Sequence, residues 1–222
     1  MGWFIKFIDS SVGKKLIMAL TGLFLALYLI EHLVGNLLLL ANDAGKSFEI
    51  YSEVMASSKN FLIRAVEIFL FLVFIYHITN GVRLWWSNYN ARGQKYQMKK
   101  SSANSTFFSR FMIQSGSIVL IFLVIHLQTF FFHYRFGHPT NTMYQGVVNA
   151  FSNPYYSWFY VLAMILLAFH LVHGIQSAFQ TLGIRHNKYT AFIKGCGIVF
   201  SILICAGFAL IPLYFLFSTG GH

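Results

Sequence analysis

The segment Tyr155–Gly183, YYSWFYVLAMILLAFHLVHGIQSAFQTLG, is apolar over a length that would cross a bilayer as one helix. About 20 residues at ~1.5 Å each span the hydrocarbon. Two histidines, His170 and His173, nevertheless lie well inside this run. An ionisable side chain in hydrocarbon is costly and usually marks a functional position. The segment therefore predicts a membrane protein with an intramembrane site, completed by partners on other segments.

The composition supports this interpretation. The 222 residues are 57% hydrophobic and 10% charged, whereas soluble proteins are about 25% charged. A formal net charge of +10 would suggest nucleic acid as a partner of a soluble protein, but here the basic residues lie between apolar runs and are typical of topology determinants. We therefore expect lipid and no nucleic acid. Cys196 and Cys205 share one apolar run without a metal-binding spacing.

The chain is predicted to be a single all-α integral membrane domain, residues 1–222, with five transmembrane helices. Residues 1–13 are read as an amphipathic interfacial lead and residues 42–60 as a polar loop. The predicted helices cover about residues 15–41, 61–86, 107–133, 155–182 and 189–217.

Lysines and arginines predict the orientation. Twelve of the sixteen belong to the N-terminus and to the second and fourth loops, counted with the adjoining helix ends. The positive-inside rule then predicts a cytoplasmic N-terminus and an external C-terminus. We expect a multi-pass protein of a bacterial inner (cytoplasmic) membrane.

Four histidines fall at two depths. Counting from the helix ends, His32 and His126 lie in the outer half of the membrane, and His77 and His170 in the inner half. The two levels are predicted to be roughly 10 Å apart. Two imidazoles on facing helices at one depth are what a bis-histidine haem requires. The first four helices are therefore predicted to form a bundle around two stacked haems.

Glycines accompany three of these histidines on the same helix faces. They are Gly35, Gly81 and Gly174. A missing side chain there would leave room for a porphyrin edge. The alternative is that small residues simply let helices pack closely.

Four motifs resemble a known family, the cytochrome b subunits of succinate:quinone oxidoreductases and quinol:fumarate reductases in their five-helix, di-haem form. The motifs are EHLVGN at 31–36, YHITNG at 76–81, Gly116 followed by HL at 126–127, and FHLVHG at 169–174. The resemblance implies two haem b groups, the outer iron held by His32 and His126 and the inner iron by His77 and His170. This agrees with the pairing by depth.

The resemblance also implies the role of the complex. Such a subunit anchors a flavoprotein and an iron–sulfur protein at the cytoplasmic face and passes electrons to or from a quinone, here expected to be menaquinone. It is the quinone-reactive part of a succinate dehydrogenase or fumarate reductase, the respiratory complex II of the tricarboxylic acid cycle. The resemblance is compatible with a higher oligomer of the complex. The chain has no dinucleotide fingerprint and no cluster-binding cysteine set, so we expect no dicarboxylate chemistry from it alone.

Glu31 and Glu67 are the carboxylates inside predicted helices and are candidates for exchanging protons with the quinone. The alternative is that Glu31 bonds a neighbouring helix and Glu67 reaches the interface. Some fumarate reductases of the family carry a glutamate two residues before the helix-four ligand, where this chain has Ala168. A proton path through that position is not expected.

Further residues are candidates for the haem surroundings. His173, three residues after His170, could ligate in its place, but the resemblance favours His170 and leaves His173 to bond a propionate, a carbonyl or another helix. The remaining candidates are Arg83 and Arg185 for the inner haem, and Gln114 and Ser117 within helix three. The arginines also fit a purely topological role.

Two alternatives compete with this interpretation. One is the di-haem cytochrome b subunit of a hydrogenase or formate dehydrogenase, whose ligand order fits less well. The other is a haem-free membrane anchor or transporter that uses the histidines as a proton relay. It predicts no haem and more intramembrane carboxylates.

Overall fold

The computed structural model describes residues 2–57, 59–90, 111–184, 186 and 188–219. Nine α-helices lie in this part of the chain, and it contains no strand. They are α1 Trp3–Asp9, α2 Ser11–Leu37, α3 Lys46–Ala56, α4 Phe61–Asn90, α5 Met112–His126, α6 His133–Phe136, α7 Met143–Phe151, α8 Pro154–Thr181 and α9 Thr190–Thr219. A 3-10 turn, Leu38–Leu40, extends α2, and a π-helix, Leu127–Phe132, joins α5 to α6.

Five helical spans are long and apolar enough to cross a membrane. They are Ser11–Leu40, Phe61–Asn90, Met112–Phe136, Pro154–Thr181 and Thr190–Ser218. The predicted all-α membrane fold with five spanning helices is thus confirmed. Of the third predicted run, residues 107–110 lie outside the described part of the chain.

The first spanning helix begins earlier than predicted. The expected interfacial lead, residues 1–13, ends in the structure with α1 at Asp9, and α2 begins at Ser11. The reason is a cap: the Ser10 hydroxyl accepts a hydrogen bond from the Gly13 backbone N–H at 3.0 Å. A serine in this position satisfies an amide that the first turn leaves unpaired.

The polar loop predicted at 42–60 contains a helix instead, α3. Asp43 supplies the start signal, because its carboxylate accepts the Ser47 backbone N–H at 2.9 Å. Hydrogen bonds from the Ser47 side chain and backbone hold the pKa of Asp43 below its ordinary value. A second short helix, α7, begins with a capping box between Thr142 and Gln145.

Charged side chains tie these two short helices to the bundle. Glu49 of α3 accepts the backbone N–H groups of Met143 at 3.4 Å and of Tyr144 at 3.1 Å, at the first turn of α7. At the other end of α3, Arg64 donates to the Met55 carbonyl, and Arg135 donates to the Ala56 carbonyl at 2.6 Å. Anions near helix N-termini and cations near C-termini are both stabilising.

A Glu49→Ala variant is expected to lower the free energy of unfolding by about 1 to 2 kcal/mol, because two amides of α7 lose their acceptor. Thermal unfolding in detergent measures the change. Glu53→Ala on the same helix is the matched control, since Glu53 is exposed. Equal stability of the two variants would contradict the cap.

The helix α8 lies at the centre of the packing. It packs most extensively on α9 and also against α2 and α5, whereas α4 packs mainly against α2. Ala163 of α8 is fully buried, which allows this close approach. The Ser157 and Ser201 hydroxyls, also fully buried, donate to backbone carbonyls of Phe151 and Gly197 at 2.6 and 2.7 Å. Such bonds satisfy hydroxyls that hydrocarbon cannot.

Candidate functional site

Helices α2 and α5 bring His32 and His126 into contact. Their ring centroids are 5.8 Å apart and the planes are nearly perpendicular, at 89°. Phe208 of α9 lies 5.6 Å from the His32 ring, and Phe122 stacks on His126, also at 5.6 Å. We call His32 and His126 the first pair. Aromatic neighbours leave these rings few polar partners, so each hydrogen bond that they form is informative.

The Nδ1 atoms of the first pair are engaged by side chains. His126 Nδ1 lies 3.2 Å from the Tyr160 hydroxyl of α8. His32 Nδ1 has longer contacts, 3.4 Å to the Tyr28 hydroxyl and 3.5 Å to the Asn36 amide. Within the described residues, Nε2 of neither ring takes part in a hydrogen bond. Each imidazole therefore keeps its Nε2 for another partner.

His77 and His170 form the second pair. His77 Nδ1 lies 3.1 Å from the Thr21 hydroxyl of α2, and His77 Cε1 would lie 3.2 Å from a Cβ added at Gly22. The His170 ring faces Gly116 of α5 in the same manner, at 3.4 Å. The two imidazoles are close enough to interact electrostatically. A glycine on the facing helix thus makes room for each ring.

His170 differs from the other three histidines. Its Nδ1 is buried and has no hydrogen-bond partner among the described residues. An unsatisfied buried polar atom costs about 1 to 3 kcal/mol. Among the described residues the other buried side-chain atoms without a partner are Arg64 Nε and Asn80 Oδ1, so His170 Nδ1 is the one that lies at a histidine pair.

Three helices repeat one register. On α2, Gly22 lies at the level of the second pair, and His32 of the first pair follows ten residues later. On α5, Gly116 and His126 have the same spacing. On α8 the same ten positions separate Tyr160 from His170. Ten residues of helix rise about 15 Å. The two pairs therefore lie at two levels about 15 Å apart, a wider gap than the roughly 10 Å expected from the sequence.

The residues fit haem b. A bis-histidine iron needs two imidazoles that face each other with Nε2 free and with Nδ1 oriented by other groups. His126 of the first pair and His77 of the second pair meet this description. At His32 the Nδ1 contacts are longer, and the Asn36 NH2 group among them can only donate. The described part of the chain has no group of three or more His, Cys, Asp or Glu side chains that would hold a bare metal ion.

Glu31 lies beside the first pair. Its carboxylate is exposed and accepts a hydrogen bond from the Tyr51 hydroxyl of α3 at 2.9 Å. Burial and the bond to Glu31 raise the pKa of Tyr51. The ring of Tyr51 also fills the space at Gly35, where a Cβ would overlap it. The gap expected for a porphyrin edge at Gly35 is therefore taken by a tyrosine.

Glu67 is engaged in a different way. Arg64, one turn earlier on α4, forms an ion pair with it, and the two side chains are 16% and 30% exposed. Arg64 also reaches the end of α3. Glu67 thus belongs to the polar contacts that hold α3 on α4, and the structure brings it to neither histidine pair.

The remaining predicted residues lie in varied places. Gly174 has no atom within 4 Å of an added Cβ, and Gly81 faces Met18 at 3.3 Å. Gln114 and Ser117 are exposed on α5, where Ser115 is the buried serine. Arg83 is exposed and pairs with Asp9 at 3.6 Å, His173 is half-buried beside His170, and Arg185 lies outside the described residues.

Comparison with known proteins shows which family the chain resembles. Residues 16–107 match the family model described as succinate dehydrogenase/fumarate reductase transmembrane subunit. The chain is 28% identical over 162 residues to the succinate dehydrogenase cytochrome b558 subunit of Bacillus subtilis (strain 168), covering 71% of this chain and 73% of that one. Over these residues the chain is similar to this family. No solved structure matches it.

The five apolar spans make the protein a multi-pass membrane protein, as predicted, in agreement with the transmembrane family that it resembles. The family model spans α2 and α4 and so contains His32 and His77, whereas His126 and His170 lie beyond it. These similarities favour the succinate dehydrogenase interpretation over the hydrogenase, formate dehydrogenase and transporter alternatives.

Sequence reasoning missed the residues that contact the histidines. Thr21, Gly22, Tyr28, Asn36 and Tyr160 were not among the candidates, although Thr21 and Tyr160 are hydroxyls inside apolar runs. The available signal was the ten-residue spacing between Tyr160 and His170 and between Gly22 and His32. Once the level of each histidine is known, this spacing indicates which residues of the neighbouring helices lie at the same level.

Proposed function

We propose that the subunit is the di-haem cytochrome b anchor of a succinate:quinone oxidoreductase and carries electrons between an iron–sulfur subunit and a membrane quinone. The observation that supports this most directly is the two-level arrangement of facing histidines with Nε2 free of hydrogen bonds in the described structure. Ordinary core histidines would use both ring nitrogens for bonds to the protein.

His32 and His126 would hold one haem b and His77 and His170 the other. Haem b supplies a one-electron carrier. The protein contacts Nδ1 of His32, His77 and His126 and surrounds the first pair with Phe122 and Phe208. These aromatic rings exclude water, and a dry site of this kind influences a redox potential.

The partners would bind at the end of the bundle where α2 begins. A flavoprotein and an iron–sulfur subunit are proposed there because most lysines and arginines lie at that end, which makes it the cytoplasmic side. The second pair is the nearer of the two to this end. Electrons would therefore enter or leave the membrane at the level of His77 and His170.

The quinone would react near the first pair. Reduction of a quinone to a quinol takes two electrons and two protons, so the site needs a proton donor as well as an electron carrier. We propose that Glu31, bonded to Tyr51 and exposed at its edge, exchanges these protons. The quinone is proposed to be menaquinone. Glu67 was an equal candidate from the sequence, but its ion pair with Arg64 favours a structural role.

A reduced-minus-oxidised spectrum of the purified protein, with a haem-to-protein ratio, tests the proposal. We expect a b-type spectrum and two haems per chain. A folded sample without haem would contradict the proposed function and would favour an anchor or a proton relay.

A Glu31→Gln variant is expected to lower quinone turnover at least about 10-fold, because general acid–base groups typically contribute 10²- to 10⁴-fold. Glutamine keeps the bond from Tyr51 but exchanges no proton. Glu67→Gln is the matched control. The assay is electron transfer from the assembled complex to a menaquinone analogue, and turnover equal to that of the unmodified protein would exclude Glu31.

A further inference from the structure

The Thr21 hydroxyl has one hydrogen to donate, and the backbone takes it. Its Oγ1 lies 2.8 Å from the Ile17 carbonyl oxygen and 3.2 Å from that of Met18, in the geometry of a donated bond. The same oxygen lies 3.1 Å from His77 Nδ1. Because the Thr21 hydrogen is already committed, this contact is a bond only if Nδ1–H is the donor.

The Tyr160 hydroxyl is in the same situation. Tyr156 donates its hydrogen to Thr129 Oγ1 at 3.2 Å. The contact of 3.1 Å between the Tyr156 and Tyr160 oxygens therefore uses the hydrogen of Tyr160. The Tyr160 oxygen, which lies 3.2 Å from His126 Nδ1, then has only a lone pair to offer to that contact. Again the imidazole must be the donor.

We propose that Thr21 and Tyr160 are positioning residues, one for each histidine pair, that fix His77 and His126 in the Nδ1–H tautomer and leave the Nε2 lone pair free for iron. The proposal rests on the proposed function. Beyond that function, it names the residues that impose the ligating tautomer. A neutral imidazole ligates through the nitrogen that carries no hydrogen, and the bond at the other nitrogen decides which one that is.

Each positioning residue comes from a helix other than that of its histidine. Thr21 lies on α2 and His77 on α4, while Tyr160 lies on α8 and His126 on α5. The ring orientation of each ligand is thus tied to the packing of two helices. A bond at Nδ1–H also makes the imidazole more basic, which stabilises the ferric form.

The test uses two isosteric substitutions in the full-length protein with haem bound, Thr21→Val and Tyr160→Phe. Thr79→Val is the matched control for the first, because Thr79 on α4 is exposed and makes the same backbone bond, to Ile75, at 2.8 Å. Tyr155→Phe is the control for the second, because Tyr155 is exposed on α8. The readouts are the midpoint potential of each haem, its low-spin electron paramagnetic resonance signal, and haem retention on dilution.

We expect Thr21→Val to raise the midpoint potential and move the resonance of the His77–His170 haem alone, and Tyr160→Phe to do so for the His32–His126 haem alone. Retention of the affected haem should fall about 10-fold or more, the usual effect of removing an outer partner. Thr21→Ser should restore the original values, since serine keeps the acceptor. Both controls should leave all three readouts unchanged.

Three outcomes would each contradict a part of this proposal. Two haems with potentials and resonances unchanged in both variants would overturn the positioning role and leave the proposed function standing. A shift in both haems at once from either variant would also overturn it, because a general disturbance of the bundle would then be the cause. An unmodified protein that binds no haem would instead remove the proposed function.

Discussion

A His126→Leu variant is expected to hold one haem per chain instead of two. Leucine fills a volume near that of imidazole but offers no lone pair, and haem held by a single remaining histidine loses one of its two axial bonds. His32→Leu should give the same spectrum, because the structure places these two rings at one level, 5.8 Å apart. Haem-to-protein ratios and difference spectra measure the loss.

The pairing is the sharper part of this prediction. His77→Leu and His170→Leu should each remove the other haem, so that any two substitutions within a pair cost one haem and any two across pairs cost both. His133→Leu is the matched control, since His133 is exposed at the end of the same span as His126. A variant in which His173→Leu, and not His170→Leu, removes a haem would reassign the ligand.

An Arg64→Met variant is expected to lower the free energy of unfolding by about 3 kcal/mol, the cost of leaving one partner of a mostly buried ion pair unpaired. The Arg64 side chain is 16% exposed and donates both to Glu67 and to the Met55 carbonyl. Its removal leaves the Glu67 charge near hydrocarbon and frees the end of α3.

The double variant Arg64→Met with Glu67→Gln should recover much of that loss, because the uncompensated charge disappears. The recovery distinguishes a charge effect from a packing effect, and equal stability of single and double variants would contradict it. Thermal unfolding in detergent provides the measurement. Arg83→Met is the control: that pair with Asp9 is 60% and 56% exposed, and exposed pairs contribute about 0 to 1 kcal/mol.

The membrane fold was predictable from the sequence because hydrocarbon allows few solutions. Each spanning segment must satisfy its own backbone, so apolar runs of sufficient length become helices. The ends were less predictable, because α2 begins at a Ser10 cap that lies before the apolar run. The helix α3 was missed for a related reason. Its start depends on Asp43, and its position depends on Arg64 of the next helix and on Arg135 from a distant segment.

The contact between His32 and His126 was also predictable, because antiparallel helices convert sequence position into depth. The groups around the histidines were not. A tyrosine such as Tyr160 is common in an apolar run. Its contact with His126 arises only because α8 packs against α5 at that level. Likewise Gly35 carried the same sequence signal as Gly174, yet Tyr51 occupies the space at the former and nothing lies within 4 Å at the latter. Side chains from other elements decide such cases.

The ten-residue register of α2, α5 and α8 has an electrical consequence. A separation of about 15 Å is about half of the ~30 Å hydrocarbon thickness, so a charge passed between the two pairs crosses about half of the membrane voltage. One elementary charge moved across 100 mV changes in free energy by about 2.3 kcal/mol, hence about 1.2 kcal/mol for this half. With the start of α2 on the negative side, the voltage favours electrons moving from the second pair to the first and opposes the reverse. If the subunit carries electrons between the pairs as proposed, the spacing of a few small and aromatic residues would set how strongly an energised membrane acts on it.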